Sequence, residues 1–118
     1  PERSGIFSCR TASAEAFECV RSQLSDSHIA LDADKLGNRP LLRSAAVGDR
    51  FRPFGMRAQK KLSDFLIDEK YPRILRDEVL VLESAGQIAW VVGMRISDAF
   101  CVGPSSRRIA LIQFSVNA

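Results

Sequence analysis

Two apolar runs on either side of a glycine-containing turn constrain the fold most. Val79–Leu82 and Ile88–Val92 flank the five-residue segment Glu83–Gln87. Apolar runs of this length, joined by a short turn that contains glycine, predict a β-hairpin. Neither run alternates apolar with polar residues, which predicts strands that are covered on both faces. Other elements of the chain must therefore pack against both sides of this hairpin.

The rest of the chain carries shorter strand signals and one clear helix. Strands are predicted at residues 6–9, 16–20, 28–32, 40–43 and 107–114, with short turns at 32–36 and 73–77. A helix is predicted at 60–70 because Leu62, Phe65 and Leu66 recur on one face, and Pro72 ends it at about Lys70 or Tyr71. The pattern predicts a single α+β domain over residues 1–118, dominated by short strands.

The positive charge is concentrated in one loop ahead of the predicted helix. The whole chain has a net charge of +3, yet residues 50–61 hold five basic residues and no acidic one: Arg50, Arg52, Arg57, Lys60 and Lys61. Cations at a helix start oppose the helix dipole, so an external anion such as a phosphate is predicted to complete the site. A solvated loop is the simpler interpretation of such a run. Interleaved apolar residues favour an anchored loop with outward-facing cations; they are Phe51, Pro53, Phe54 and Met56.

The sequence contains no motif that predicts catalysis or metal binding. The phosphate-binding pattern GxxxxGK[ST] is absent, and a Ser-His-Asp triad could use only His28. A four-ligand zinc site would need His28 to meet all three cysteines, which are widely spaced: Cys9, Cys19 and Cys101. We therefore expect no catalytic residue, no metal ligand, and three reduced, mostly buried thiols.

Several linked motifs follow one another between about Ile29 and Phe114. They are Gly48-Asp49-Arg50-Phe51-x-Pro53-Phe54-Gly55-Met56, Lys60-Lys61-Leu62-Ser63-Asp64-Phe65, Lys70-x-Pro72-Arg73, Arg76-Asp77 and Ile88-x-Trp90-Val91-Val92-Gly93-x-Arg95-Ile96. Together, and in this order, they resemble the C-terminal domain of bacterial tRNA(Ile)-lysidine synthetase. Two segments depart from the family pattern, Ser44–Val47 and Asp98–Val102, because both lack positive charge that relatives carry there.

The resemblance implies a role in tRNA modification. Enzymes of this family are ATP-dependent ligases that activate the wobble cytidine of an isoleucine tRNA, and lysine then attacks to form lysidine. The resemblance assigns that chemistry, with its ATP and lysine, to an N-terminal ATP-pyrophosphatase domain outside residues 1–118. The domain described by this sequence is expected to be non-catalytic and to need no cofactor. Its implied fold is a compact, mainly β sandwich similar to a domain of the phenylalanyl-tRNA synthetase beta chain.

The same resemblance implies partners and binding residues. The expected partners are isoleucine tRNA, contacted on its acceptor-stem side, and the catalytic domain of the same cytoplasmic protein. Seven basic residues are expected to hold tRNA phosphates: Arg50, Arg52, Arg57, Lys60, Lys61, Arg73 and Arg76. No membrane partner is expected, because no stretch approaches the roughly 20 apolar residues of a membrane-spanning helix. The alternative is a protein-interaction domain whose basic loop docks on an acidic face of the catalytic domain.

Overall fold

The computed structural model describes residues 5–13, 15–17, 24–25, 27–37 and 39–116. The strands and helices in these ranges are β1 Gly5–Ser13, β2 His28–Asp32, α1 Ala33–Leu36, β3 Leu41–Ser44, β4 Arg50–Phe51, β5 Lys60–Lys61, α2 Leu62–Asp68, a 3-10 helix Arg73–Glu78, β6 Leu80–Ser84, β7 Gln87–Val91, β8 Arg95–Ile96, a second 3-10 helix Asp98–Phe100, and β9 Arg108–Val116. None of the helices in these ranges is long and apolar enough to cross a membrane.

Two antiparallel sheets pack face to face, as the sandwich prediction requires. One sheet has the strand order β1-β9-β2, and the other has the order β3-β6-β7-β8. A cluster of buried side chains joins them, including Leu31 and Ile112 from the first sheet and Leu82 and Trp90 from the second. Trp90 is fully buried there. The mainly β sandwich is confirmed.

The four-stranded sheet is covered on its second face as well. Val81, Ile88 and Val91 of its hairpin pack there against the helix α2 and the short β4–β5 pair. The Phe51 and Phe65 rings meet edge to face in this cluster, with centroids 5.0 Å apart. Edge-to-face packing is a preferred arrangement for buried aromatic rings. The prediction that both faces of the 79–92 hairpin are covered is therefore confirmed.

The hairpin itself is tighter than the sequence predicted. Its turn is only Ala85-Gly86, both with positive φ, instead of the five residues 83–87. The register shifts so that Leu82 faces Trp90 while Glu83 faces Ile88, which leaves Ala89 as a β-bulge. Ala89 has no register partner on β6, and its carbonyl accepts a hydrogen bond from the Ser97 N–H at 2.8 Å.

The predicted helix is present but shorter. It spans Leu62–Asp68 rather than 60–70, because Lys60 and Lys61 pair with β4 as a strand. Its buried face is Leu62, Phe65 and Leu66, as predicted. The chain leaves the helix before Pro72, since Lys70 has a left-handed φ of 58°.

The outer strands agree with the sequence in part. The strands predicted at 6–9, 28–32, 40–43 and 107–114 correspond to β1, β2, β3 and β9. The strand predicted at 16–20 is wrong where it can be compared, because residues 15–17 are helical, and residues 18–20 lie outside the described ranges. The predicted turns at 32–36 and 73–77 correspond to α1 and the first 3-10 helix.

A buried carboxylate starts the helix α1. Asp32 accepts hydrogen bonds from the backbone N–H groups of Asp34 and Lys35, which is the usual role of an N-cap residue. Its second oxygen accepts a 2.6 Å hydrogen bond from the Ser106 hydroxyl. Burial raises the pKa of Asp32, but these hydrogen bonds outweigh burial and hold the pKa below its ordinary value. Asp32 thus links β2, α1 and the loop before β9.

Candidate nucleic-acid interface

The basic run folds into a two-stranded antiparallel pair beside the second sheet. Arg50 lies opposite Lys61, and Phe51 lies opposite Lys60. Because side chains alternate along a strand, the buried Phe51 leaves Arg50 and Lys61 together on the exposed side. Like charges directly opposite each other destabilise a strand pair. The pairing therefore concentrates positive charge on the exposed side of the strand pair.

The loop between the two short strands is held against the 96–98 segment. Pro53 forms a β-bridge with Ser97, and the Phe54 N–H donates to the Ile96 carbonyl at 3.0 Å. The Asp98 N–H donates to the Arg52 carbonyl at 2.8 Å, and the Asp98 carboxylate accepts from the Gly55 N–H. Phe51 and Pro53 are buried anchors, as predicted for the interleaved apolar residues. Phe54 and Met56 are exposed instead, so the anchoring prediction is wrong for these two.

Three arginines line one open cleft of about 360 Å³, which we call the arginine cleft. Its lining residues are Arg50, Phe51, Arg52, Arg57, Gln59, Gly86, Gln87, Ile88, Ser97 and Ala99. None of these described lining residues carries a carboxylate. Arg52 forms an ion pair with Asp98 at 3.2 Å, but its Nε is buried and has no hydrogen-bond partner among the described residues. The arginine cleft therefore concentrates positive charge and leaves a guanidinium donor unused.

A second cleft of about 540 Å³ lies on the other side of Arg50, and we call it the apolar cleft. It is lined by Ala45, Ala46, Val47, Gly48, Asp49, Arg50, Lys61, Leu62, Ser63, Leu66, Arg76 and Asp77. It also receives three cations, but two carboxylates share the lining with them. The Nε of Arg76 is buried and has no hydrogen-bond partner in the described part of the chain.

An ion-pair network that sequence reasoning missed braces the wall of the apolar cleft. The Arg43 guanidinium forms a two-pronged pair with Asp49, at 3.0 Å to each oxygen, and donates from Nε to Glu83 at 2.9 Å. Asp49 also accepts from the Ala46 N–H at 2.7 Å, which closes the 46–49 turn. Hydrogen bonds to Asp49 are the main cause that raises the pKa of Arg43. Burial raises the pKa of Asp49, but Arg43 and the Ala46 N–H outweigh it and lower the pKa overall.

The structure brings five of the seven predicted tRNA-binding residues to the two clefts and leaves two outside. Lys60 forms an ion pair with Asp68, so a carboxylate already neutralises its charge. Arg73 is exposed on the first 3-10 helix and lines neither cleft. The residues that line the clefts are Arg50, Arg52, Arg57, Lys61 and Arg76.

Some polar residues of the arginine cleft carried no signal in the sequence. Gln59, Gln87 and Ser97 are ordinary polar residues that come from three separate segments. Only the strand pairing and the bridge between Pro53 and Ser97 bring them together. The sequence indicated the position of Gln87 only through the Gly86 turn, because the residue after a tight hairpin turn begins the next strand at the end of the sheet.

The thiols differ from expectation in one respect. Cys9 is exposed on β1 and Cys101 is half-buried, so the prediction of mostly buried thiols is wrong for Cys9, while Cys19 lies outside the described ranges. Burial of part of its surface raises the pKa of the Cys9 thiol. Within the described residues, no three His, Cys, Asp or Glu side chains group as a metal site would require.

Comparison with known families gives a match that covers the basic loop, the helix α2 and the 79–92 hairpin. A family model described as the TilS substrate C-terminal domain matches residues 41–112. The chain belongs to this family. It is 40% identical over 84 residues to the tRNA(Ile)-lysidine synthase of Caldanaerobacter subterraneus subsp. tengcongensis, covering 71% of this chain and 18% of that protein. It is 41% identical over 93 residues to the tRNA(Ile)-lysidine synthase of Dehalococcoides mccartyi, covering 77% of this chain and 20% of that protein.

Solved structures show the same fold. A crystal structure of a TilS C-terminal domain matches 97% of this chain and 86% of its own, with a TM-score of 0.77 and 25% identity. An N-terminal fragment of the Pyrococcus horikoshii phenylalanyl-tRNA synthetase beta subunit matches 96% of this chain and 40% of its own, with a TM-score of 0.70 and 12% identity. The likeness to that fragment concerns the fold alone. This TilS C-terminal domain spans about a fifth of the length of the curated relatives that it matches.

Proposed function

We propose that this TilS C-terminal domain binds isoleucine tRNA for a cytoplasmic tRNA(Ile)-lysidine synthase and contacts the acceptor-stem side. The observation that carries the proposal is the arginine cleft, where Arg50, Arg52 and Arg57 meet and no described lining residue carries a carboxylate. Guanidinium groups suit phosphate because their planar fork can donate two hydrogen bonds to two oxygens. The matching relatives are tRNA(Ile)-lysidine synthases, which supports a tRNA as the source of that phosphate.

In this proposal the domain positions the tRNA and performs no chemistry. Phosphate contacts set the register and orientation of a nucleic acid but carry little information about its bases. A double-stranded RNA stem is recognised mainly through its A-form shape, its backbone and its 2′-hydroxyl groups. ATP, lysine and the ligase reaction belong to another domain of the parent enzyme, and this domain needs neither cofactor nor metal.

The test is a binding series with three RNAs at increasing salt. They are unmodified isoleucine tRNA, a minihelix of its acceptor stem, and a minihelix of its anticodon stem with the same length. The proposal expects the tRNA and the acceptor minihelix to bind with a salt slope that indicates several released counterions. Equal binding of the anticodon minihelix would remove the acceptor-stem assignment. Electrostatic binding to RNA is strongest at low salt, about 50 mM or below. If none of the three RNAs binds there, the proposed function is contradicted.

A second candidate function is docking on the catalytic domain of the parent enzyme. The observation that favours it is Val47, which is fully exposed at the turn that forms one wall of the apolar cleft. It adjoins other apolar lining residues of that cleft, Ala45, Ala46 and Leu62, and contiguous apolar surface is typical of a protein contact. Mixing the separated domains should then show association without RNA. Val47→Asp should abolish it, while Ile74→Asp, a matched change at another exposed apolar residue, should not.

A further inference from the structure

The arginine cleft combines strong positive charge with an unused buried donor. Its three guanidinium groups repel one another, and among the described residues only the one on Arg52 has a carboxylate partner, Asp98. The buried Nε of Arg52 has lost its contact with water without gaining a hydrogen bond within the described residues. An unsatisfied buried donor is costly, and an anion bound by the arginines would relieve the repulsion among their guanidinium groups.

Two glutamines give the arginine cleft a second chemical character. Gln59 and Gln87 line it from two separate segments of the chain, and both are exposed. A glutamine amide offers a carbonyl acceptor and an NH₂ donor on the same group, so it can pair with a hydroxyl, which also accepts and donates. The glutamine amide is uncharged and therefore attracts a phosphate only weakly at long range. Amides beside guanidinium groups match a ligand that presents a hydroxyl next to a phosphate.

The arginine cleft is small and its backbone is held in place, which suits a small ligand group. Its volume of about 360 Å³ is at the lower end of ligand pockets, which run to roughly 1,000 Å³. One wall is held by the Pro53–Ser97 bridge and by the hydrogen bond from the Asp98 N–H to the Arg52 carbonyl, and another is the tight Ala85-Gly86 turn. These contacts fix the backbone that carries the lining side chains before the ligand arrives, which lowers the ordering cost of binding.

We infer that the arginine cleft binds one sugar-phosphate unit of the RNA backbone, with Arg52 and Arg57 on the phosphate and Gln59 and Gln87 on the neighbouring ribose 2′-hydroxyl. The inference rests on the proposed function and deepens it, since it makes this cleft the place where the domain distinguishes RNA from DNA. The 2′-hydroxyl is the group that separates RNA from DNA at a given contact. A backbone phosphate together with a ribose hydroxyl is the ligand; a free phosphate would engage only the arginines.

The experiment compares two versions of one acceptor-stem duplex. One is the natural ribose form, and the other carries 2′-fluoro groups, which keep the A-form shape but remove the hydroxyl donor. The whole chain should bind the ribose form about fivefold more tightly, a typical loss for one or two neutral hydrogen bonds. The double variant Gln59→Ala with Gln87→Ala should bind both forms equally, with an unchanged salt slope.

The phosphate half of the inference is tested with matched charge changes. Arg57→Ala should weaken binding of both duplexes about tenfold and lower the salt slope by about one. Arg39→Ala is the control, because Arg39 is an exposed arginine outside both clefts. Ala99→Arg should raise the salt slope by about one, since Ala99 is exposed in the lining and the change adds a cation there.

The outcomes separate this inference from the proposed function. If wild type binds RNA but Arg57→Ala behaves like Arg39→Ala, the domain still binds RNA and the arginine cleft is not its phosphate site. If the glutamine double variant keeps the fivefold preference for ribose, the assignment of the 2′-hydroxyl is wrong. If wild type binds neither duplex at low salt, the proposed function fails and this inference fails with it.

Discussion

The arginine cleft and the apolar cleft share Arg50 and hold the same number of cations, yet their chemistry differs. The apolar cleft also has two carboxylates in its lining, and one of them, Asp49, is tied to Arg43. The arginine cleft has none among its described lining residues. The comparison shows that the placement of the acidic residues, more than the number of basic ones, decides which face of the basic loop keeps its positive charge unneutralised.

The two clefts also differ in what holds their walls. The wall of the apolar cleft is braced by side-chain ion pairs, in which Arg43 joins the 46–49 turn to Glu83 of β6. The wall of the arginine cleft is held mostly by backbone hydrogen bonds between the 52–55 segment and residues 96–98. The first wall should respond to substitutions and to pH, while the second should respond mainly to backbone changes.

The largest effect is expected from Arg43→Ala. Removing the guanidinium leaves Asp49 and Glu83, both largely buried, without their partner. Removing one partner of a partly buried ion pair leaves the other charge uncompensated. We therefore expect a loss of about 2 kcal/mol in the free energy of unfolding. Urea unfolding measures it, with Arg39→Ala as the matched control. A loss below about 0.5 kcal/mol, which is usual for an ordinary surface position, would show that the network does not brace the wall.

Charge reversal at one exposed cation in each cleft tests the comparison directly. Arg57→Glu should weaken RNA binding at least about tenfold, because it places an acid in a lining whose described residues include none. Lys61→Glu should weaken it only about threefold, because Asp49 and Asp77 already share its cleft. Titration of the acceptor minihelix at fixed salt measures both. Equal losses would mean that the loop acts as a diffuse basic patch and that the two clefts are not distinct.

The pH dependence of stability should come from depressed carboxylate pKa values. The pKa of Asp49 is lowered in the folded state from the ordinary 3.8, so its contribution is fully present above that value. It is lost as the pH falls through the folded-state pKa. Asp49→Asn should therefore flatten the fall in stability below about pH 4. Chemical unfolding between pH 7 and pH 2 measures the slope; an unchanged acid limb would exclude this pair as its source.

Asp32→Asn is the matched comparison away from both clefts. The pKa of Asp32 is also lowered in the folded state, so Asp32→Asn should likewise flatten the fall in stability at acid pH. It should leave RNA binding unchanged at neutral pH, because Asp32 caps the helix α1 and lines neither cleft.

The smallest effects are expected at the two turns that border the clefts. Gly48, beside the apolar cleft, has a φ of 92°, so Gly48→Ala should cost about 1 kcal/mol through backbone strain alone. Ala85, at the tip of the hairpin beside the arginine cleft, already bears such strain at a φ of 50°. Ala85→Gly should therefore stabilise the fold by about 0.5 kcal/mol. Thermal or urea unfolding measures both, and effects of the same sign would contradict the strain argument.

Local patterns in the sequence were sufficient for much of the fold. The continuous apolar runs predicted a hairpin covered on both faces, because both faces of its strands are apolar. The spacing of Leu62, Phe65 and Leu66 predicted the buried face of the helix α2. The helix start was wrong, since pairing with β4 is a non-local interaction that overrode the local helix signal at Lys60 and Lys61.

The candidate site was predictable only as far as it is local in the chain. The basic residues of the 50–61 loop stand out because they are close in sequence, and Arg50, Arg52 and Arg57 do share one cleft. Gln87 and Ala99 did not stand out, because strand pairing brings them to the cleft from distant segments.

The sequence by itself determined which segments are apolar, where the positive charge is concentrated, and which family the chain resembles. The tertiary structure alone decided which acid neutralises which cation. Arg43 and Glu83 are 40 residues apart and meet only because β3 pairs with β6, where Leu41 lies opposite Glu83 and Arg43 opposite Val81. Coulomb attraction depends on distance in space, and no pattern along the chain contains that distance. For this reason Lys60 is paired with Asp68 while the neighbouring Lys61 faces a cleft.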